Sequence, residues 1–213
     1  MSTLGPRRRP ESRARTEVEA APGVLIPVTV LVVAKAPVPG FAKTRLCPPL
    51  TPVQAARPAA AALLDTLDAV RVCPVVTRMV AFAGDLGTAE LGDEIGCALA
   101  GFDVKKQRGS GFGTRLANAH ADAARAGLAA DGGWWALGLT DPRAARLLAD
   151  VPMSTSRTGE ATRNALRDSG YRIGTLPTLT DVDRYTDAVA VAADCTGRFA
   201  AEVRALGGER VAR

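Results

Sequence analysis

The chain has 213 residues, of which 47% are hydrophobic and only 4% aromatic, and a formal net charge of +5. That length and apolar content suit one globular domain with a core built mainly from Ala, Val and Leu. The charge says little about partners: Arg7, Arg8, Arg9, Arg13 and Arg15 supply it, and the remainder is close to neutral.

Residues 1–23 read as a disordered basic tail in which arginines mix with Pro and Glu. No aromatics are interleaved, so nucleic acid is not an expected partner. A secretory leader is also not expected. Glu17 and Glu19 separate the arginines from the apolar run, which passes into Lys35 rather than a small-residue cleavage site. The run is too short to span a bilayer, and a cytoplasmic protein is the expectation. Cys47, Cys73, Cys97 and Cys195 have no CxxC spacing, which argues for neither a zinc site nor a disulfide framework.

A single domain is expected over 24–206, with a tail over 207–213. Residues 28–34 form a β-branched apolar run with the composition of a strand buried on both faces. A Pro/Gly loop follows, carrying Lys35, Gly40, Lys43 and Arg45. Pro37 and Pro39 stiffen it, and Gly40 lets backbone approach a ligand. Cations just past the carboxyl end of a buried strand stand where open α/β sheets bind ligands, so the loop reads as a cradle for phosphates. Solvated charges on an ordinary connection are the plainer alternative. No Walker A motif is present, since Ala42 precedes Lys43, and no GxGxxG turn occurs here.

Thr51-Pro52 looks like an N-cap with Pro at the first helical position. It opens an Ala-rich helix to Val70 that Pro58 should kink or delay. A second strand is expected over 75–84 and a short third one within 98–105. Residues 107–116, Gln-Arg-Gly-Ser-Gly-Phe-Gly-Thr-Arg-Leu, then lead into an Ala-rich helix ending near Ala126. Glycines before a helix can offer N–H groups to an anion, but on spacing alone the plainer reading, a flexible loop followed by a helix start, wins. His120, the single histidine, lies in this helix. With no Gly-x-Ser-x-Gly, a serine hydrolase is not indicated.

Asp131-Gly132-Gly133-Trp134-Trp135 precedes an apolar run and holds both tryptophans. Stacking on a sugar or base and simple core packing both remain open. A helix from Ser156 closed by Gly170 and a strand over 171–176 follow. In Thr180-Asp181-Val182-Asp183 the two carboxylates share one face of an extended backbone, which lets both address a hard cation. A helix N-cap beside a turn aspartate is the alternative. Phe199, Val203 and Leu206 mark a last helix, stopped by Gly207-Gly208.

The 35–46 loop, the 107–116 segment, Asp131-Gly-Gly-Trp-Trp-Ala-Leu-Gly-Leu and Leu179-Thr-Asp-Val-Asp occur in one order over residues 24–195. In this the chain resembles the bacterial DUF2064 group. That group is similar in fold to nucleotide-diphospho-sugar transferases and to guanylyltransferases. The resemblance implies a three-layer α/β/α Rossmann-like GT-A fold acting on a nucleotide-activated substrate. It implies that Lys35, Gly40, Lys43 and Arg45 lie on the phosphate side, with Gly111, Gly113 and Arg115 in a second nucleotide segment. Asp131, Gly132, Gly133 and Trp134 would line the acceptor side, and Asp181 and Asp183 would sit near Mg²⁺ or Mn²⁺.

Against the family pattern, one strand–helix–strand unit, on the order of 30 residues, is expected to be missing between Ala126 and Asp131. In the resembling fold its acidic turn supplies the principal metal ligand. Three readings follow: a metal-dependent glycosyltransferase of impaired activity acting on an unknown small-molecule acceptor, a nucleotidyltransferase using a nucleoside triphosphate, or a non-catalytic nucleotide-binding remnant.

Overall fold

The computed structural model describes residues 25–125, 139, 141–153, 155, 157–173 and 180–211. The apolar run forms β1 (Ile26–Lys35), with helices against both of its faces. Val32 and Ala34 pack into a cluster with Ala60, Leu64, Val80 and Ile95, while Val33 packs against Leu116, Leu148 and Leu166. This alternation is the two-residue period of a strand. β2 (Val75–Ala83) and β3 (Asp103–Lys106) join in parallel, in the order β1-β2-β3. The register sets Lys35 beside Ala83 and Phe82 beside Lys106, so the three strands end together at one edge.

α1 (Pro52–Arg71) begins with a full capping box: Thr51 Oγ1 accepts from the Gln54 N–H, and Gln54 Oε1 accepts from the Thr51 N–H. Pro58 does not delay the helix. It sits inside α1 with its ring fully buried. α2 (Gly92–Ala98) ends where the third strand is expected to begin, and that strand is shorter and later, Asp103–Lys106. α3 (Phe112–Arg125) and a 3₁₀ segment (Pro142–Ala149) cover the sheet face opposite α1. The helices on both faces make the three layers of the expected α/β/α fold.

α4 (Thr158–Asp168) closes at Gly170, whose φ is +86°. The Gly170 and Tyr171 N–H groups donate to the Arg167 and Leu166 carbonyls, the paired bonds of a Schellman ending. Residues 171–173 pair with no strand, and 174–176 lie outside the described residues. α5 (Tyr185–Asp194) follows the acidic stretch with Arg184 at its N-cap, and α6 (Arg198–Val211) runs through Gly207-Gly208 instead of stopping there. Leu206 is fully buried, and Arg57 of α1 pairs with Glu202 and Glu209, so tertiary contacts hold the last turns against the glycines. Among the described residues no helix is long and apolar enough to cross a membrane. The basic tail, the expected gap after Ala126 and Asp131, Gly132, Gly133 and Trp134 all lie outside the described residues.

Candidate functional site

The carboxyl edge of the sheet is tied together by Gln107. Its N–H donates to the Phe82 carbonyl at 2.9 Å. Its side-chain Nε2 donates to the carbonyls of Ala34 at 2.9 Å and Ala81 at 3.0 Å, bridging β1 and β2. The 36–51 loop folds over this edge, with the Ala36 N–H on the Ala83 carbonyl at 2.7 Å. Gly84 (φ +101°) permits the fold: a Cβ there would lie 2.8 Å from the Ala36 methyl and 3.3 Å from the Phe41 ring. Lys35 is exposed at the end of β1, its ammonium 5.0 Å from the centre of that ring, within cation–π range. Gly40 has φ +79° and open space around it, so backbone conformation explains it. Gln107, Gly84 and Phe41 were not among the expected site residues. Their only sequence signals are a glycine directly after a strand and one aromatic in a loop of small residues.

The other two loop cations point elsewhere. Lys43 adopts a left-handed backbone (φ +50°), uncommon outside glycine. Its Nζ donates to the Val182 carbonyl at 2.7 Å. Arg45 donates to Asp183 Oδ2 at 2.6 Å. Lys43, Arg45, Asp181 and Asp183 are therefore brought to one place, the 180–183 strap, while Lys35 stays at the sheet edge. The Arg45 and Asp183 side chains are 64% and 48% exposed, so their attraction is that of a solvated pair, about 0–1 kcal/mol.

The strap also opens α5. Asp187 Oδ2 accepts from the N–H groups of Asp183 at 3.3 Å and Arg184 at 2.7 Å. A helix does start beside this acidic stretch, but its N-cap is Arg184 and the carboxylate that caps it is Asp187, not Asp181 or Asp183. Mg²⁺ or Mn²⁺ would need Asp181 and Asp183 together. One Asp183 oxygen is engaged by Arg45, and among the described residues no group of three or more His, Cys, Asp or Glu could hold an ion.

In the second segment Gly111 (φ +77°) has open space about it. Gly113 is buried, and a Cβ on it would collide with the Leu148 carbonyl oxygen. Close packing of α3 on the 3₁₀ segment accounts for this glycine without a ligand. Arg115, in the first turn of α3, has a buried Nε with no hydrogen-bond partner. Arg108 pairs with Asp122 at 2.6 Å, and Asn118 donates to the Arg108 carbonyl at 2.8 Å, which fixes the approach to α3. His120 is buried, and burial lowers its pKa to about 4. Such a ring stays neutral in the fold.

No family model and no curated protein matches the chain. Among solved structures it is similar to the crystal structure of a protein from Desulfovibrio desulfuricans G20 described as a nucleotide-diphospho-sugar transferase. The TM-score is 0.67 at 18% identity, over 83% of this chain and 96% of that one. The two chains share a fold. An identity this low carries the fold and leaves function to the site.

Proposed function

We propose that this chain is a glycosyltransferase-like protein of the DUF2064 type, which moves a sugar from a nucleotide diphosphate to a hydroxyl acceptor. One observation supports the reading: in this fold, the loop leaving β1 carries Lys35, Lys43 and Arg45 from the carboxyl edge of the sheet to the strap. That edge is where open α/β sheets bind nucleotides. In the reaction a lone pair on the acceptor oxygen forms a bond to the sugar's anomeric carbon. The bond from that carbon to the diphosphate breaks, and its electron pair leaves with the nucleoside diphosphate. The acceptor proton passes to a carboxylate. Lys43 and Arg45, together at the strap, meet the charge growing on the leaving group, with Lys35 at the sheet edge; cations placed where charge develops supply a large part of catalysis.

Calorimetric titration with UDP and GDP, in EDTA and then in Mn²⁺, tests this. Binding of one nucleotide in EDTA is expected, weakened at least tenfold in the Lys43→Ala/Arg45→Ala double variant. An unweakened double variant sinks the phosphate assignment, and binding strictly dependent on Mn²⁺ sinks the metal-free charge neutralisation. A nucleotide-binding remnant is the second reading, favoured because Asp183 already engages Arg45. UDP-sugars that bind but release no UDP in the presence of alcohols would favour the remnant.

A further inference from the structure

α1 presents two faces. Ala60, Leu63, Leu64 and Leu67 join the core that holds the sheet. Pro58, Ala59 and Ala62 instead line a cleft of about 390 Å³, walled opposite by Val191 of α5 and Phe199 of α6, with Cys195 between those helices. Small-molecule pockets start at about 300 Å³, so the cleft suits a slender apolar body.

Its two polar ends differ. At one end, Asp65 is fully engaged. Its carboxylate accepts from the Arg198 N–H at 3.2 Å, the Phe199 N–H at 2.9 Å and the Arg198 guanidinium at 3.2 Å, and so caps α6. Gly197 makes room for it, since a Cβ there would lie 2.8 Å from that carboxylate. At the strap end, Lys43 and Asp181 both line the cleft. Lys43 Nζ, anchored on the Val182 carbonyl, sits one peptide from Asp181 and has further N–H groups to give. An ammonium offers donors and a carboxylate offers acceptors. The group that accepts from one and donates to the other is a hydroxyl.

We infer that this cleft takes the acceptor, an alcohol with an apolar body whose hydroxyl lies between Lys43 and Asp181; the assignment rests on the transferase reading above. The oxygen bonds to the sugar carbon, its proton passes to the Asp181 carboxylate, and the pair from the broken carbon–oxygen bond leaves on the diphosphate. Cys195 reports on the cleft from within. Cys97 is exposed on α2 and does not line the cleft, so it is an internal control.

Site-resolved alkylation of the full chain with N-ethylmaleimide, read by mass spectrometry, provides the test. 1-Octanol is expected to slow alkylation of Cys195 at least threefold and leave Cys97 unchanged. Ala62→Trp and Ala59→Phe, which fill the cleft, are expected to abolish that protection while thermal melting shows the fold retained. An unprotected Cys195, or equal slowing of Cys97, overturns the inference. Octanoate or octylamine protecting as well as octanol overturns the hydroxyl assignment. Calorimetry with UDP on the same sample separates the two readings. UDP binding without octanol protection removes the cleft alone, whereas octanol protection without nucleotide binding removes the acceptor role.

Discussion

The loop after β1 is held differently at its two ends. At the start it is tied at backbone groups: the Ala36 N–H on the Ala83 carbonyl, Gly84 leaving space for Ala36 and Phe41, and the Gln107 side chain bridging carbonyls of β1 and β2. At the far end, Lys43 and Arg45 reach the strap through exposed side chains. Buried backbone ties hold one geometry whatever the salt or ligand, because breaking them strands polar groups. Solvated charge pairs are screened by salt and worth little, so a phosphate can take the place of one partner. The start of the loop is a scaffold, and its end is an exchangeable contact.

The largest effect expected on the scaffold side is a pH dependence. The His120 pKa lies near 4 in the fold against 6.5 for an unperturbed ring, because burial disfavours the charged form. Between those values the unfolded chain binds a proton that the folded chain excludes. Stability present in full above pH 6.5 is therefore lost as the pH falls toward 4, on the order of 3 kcal/mol. Urea unfolding of His120→Leu is expected to lack this portion of the wild-type slope. An unchanged slope would mean that the helix layer behind the scaffold does not depend on a dry, neutral packing.

Gln107→Leu should cost about 2 kcal/mol, since the Ala34 and Ala81 carbonyls both lose a donor. Urea titrations in 0.1 M and 1 M NaCl sharpen the contrast between the two ends. A scaffold tie loses the same amount in both salts, and a loss that shrinks with salt would place Gln107 among the exchangeable contacts.

Local signals were legible in the sequence and distant ones were not. β1, the Thr51 N-cap, α3 and the Gly170 ending each rest on signals within a few residues, where period, cap and glycine geometry act. α2 carries Gly92 and Gly96, which hide a short helix whose hold comes from the fully buried Ile95. Gly207-Gly208 looks like a stop, yet Arg57 grips Glu209 from across α1. Within the candidate site the loop cations are visible in the sequence, but the groups they contact are not. Gln107 meets Ala34 across 73 positions and Arg45 meets Asp183 across 138, and no spacing rule reaches so far. Gly113 is given a nucleotide-side place only by the family resemblance, and its close approach to the Leu148 carbonyl is likewise a contact that no spacing shows.

The smallest expected effect is carried by Asp183→Asn, which acts on the exchangeable end alone. Where Arg45 trades Asp183 for a phosphate, removing the carboxylate's charge removes a competitor, and UDP affinity in EDTA rises. The pair is exposed on both sides and worth at most about 1 kcal/mol, so the gain is capped near fivefold. Calorimetry gives three separable results. A gain in EDTA supports exchange, a fall in EDTA means Asp183 orients Arg45 for the ligand, and a fall only in Mn²⁺ means Asp183 ligates a metal after all. The gain must also vanish in the Arg45→Ala background, because no guanidinium is then left to release. A gain that persists there would be a general effect of charge, and the far end of the loop would lose its distinction from any other solvated acidic patch.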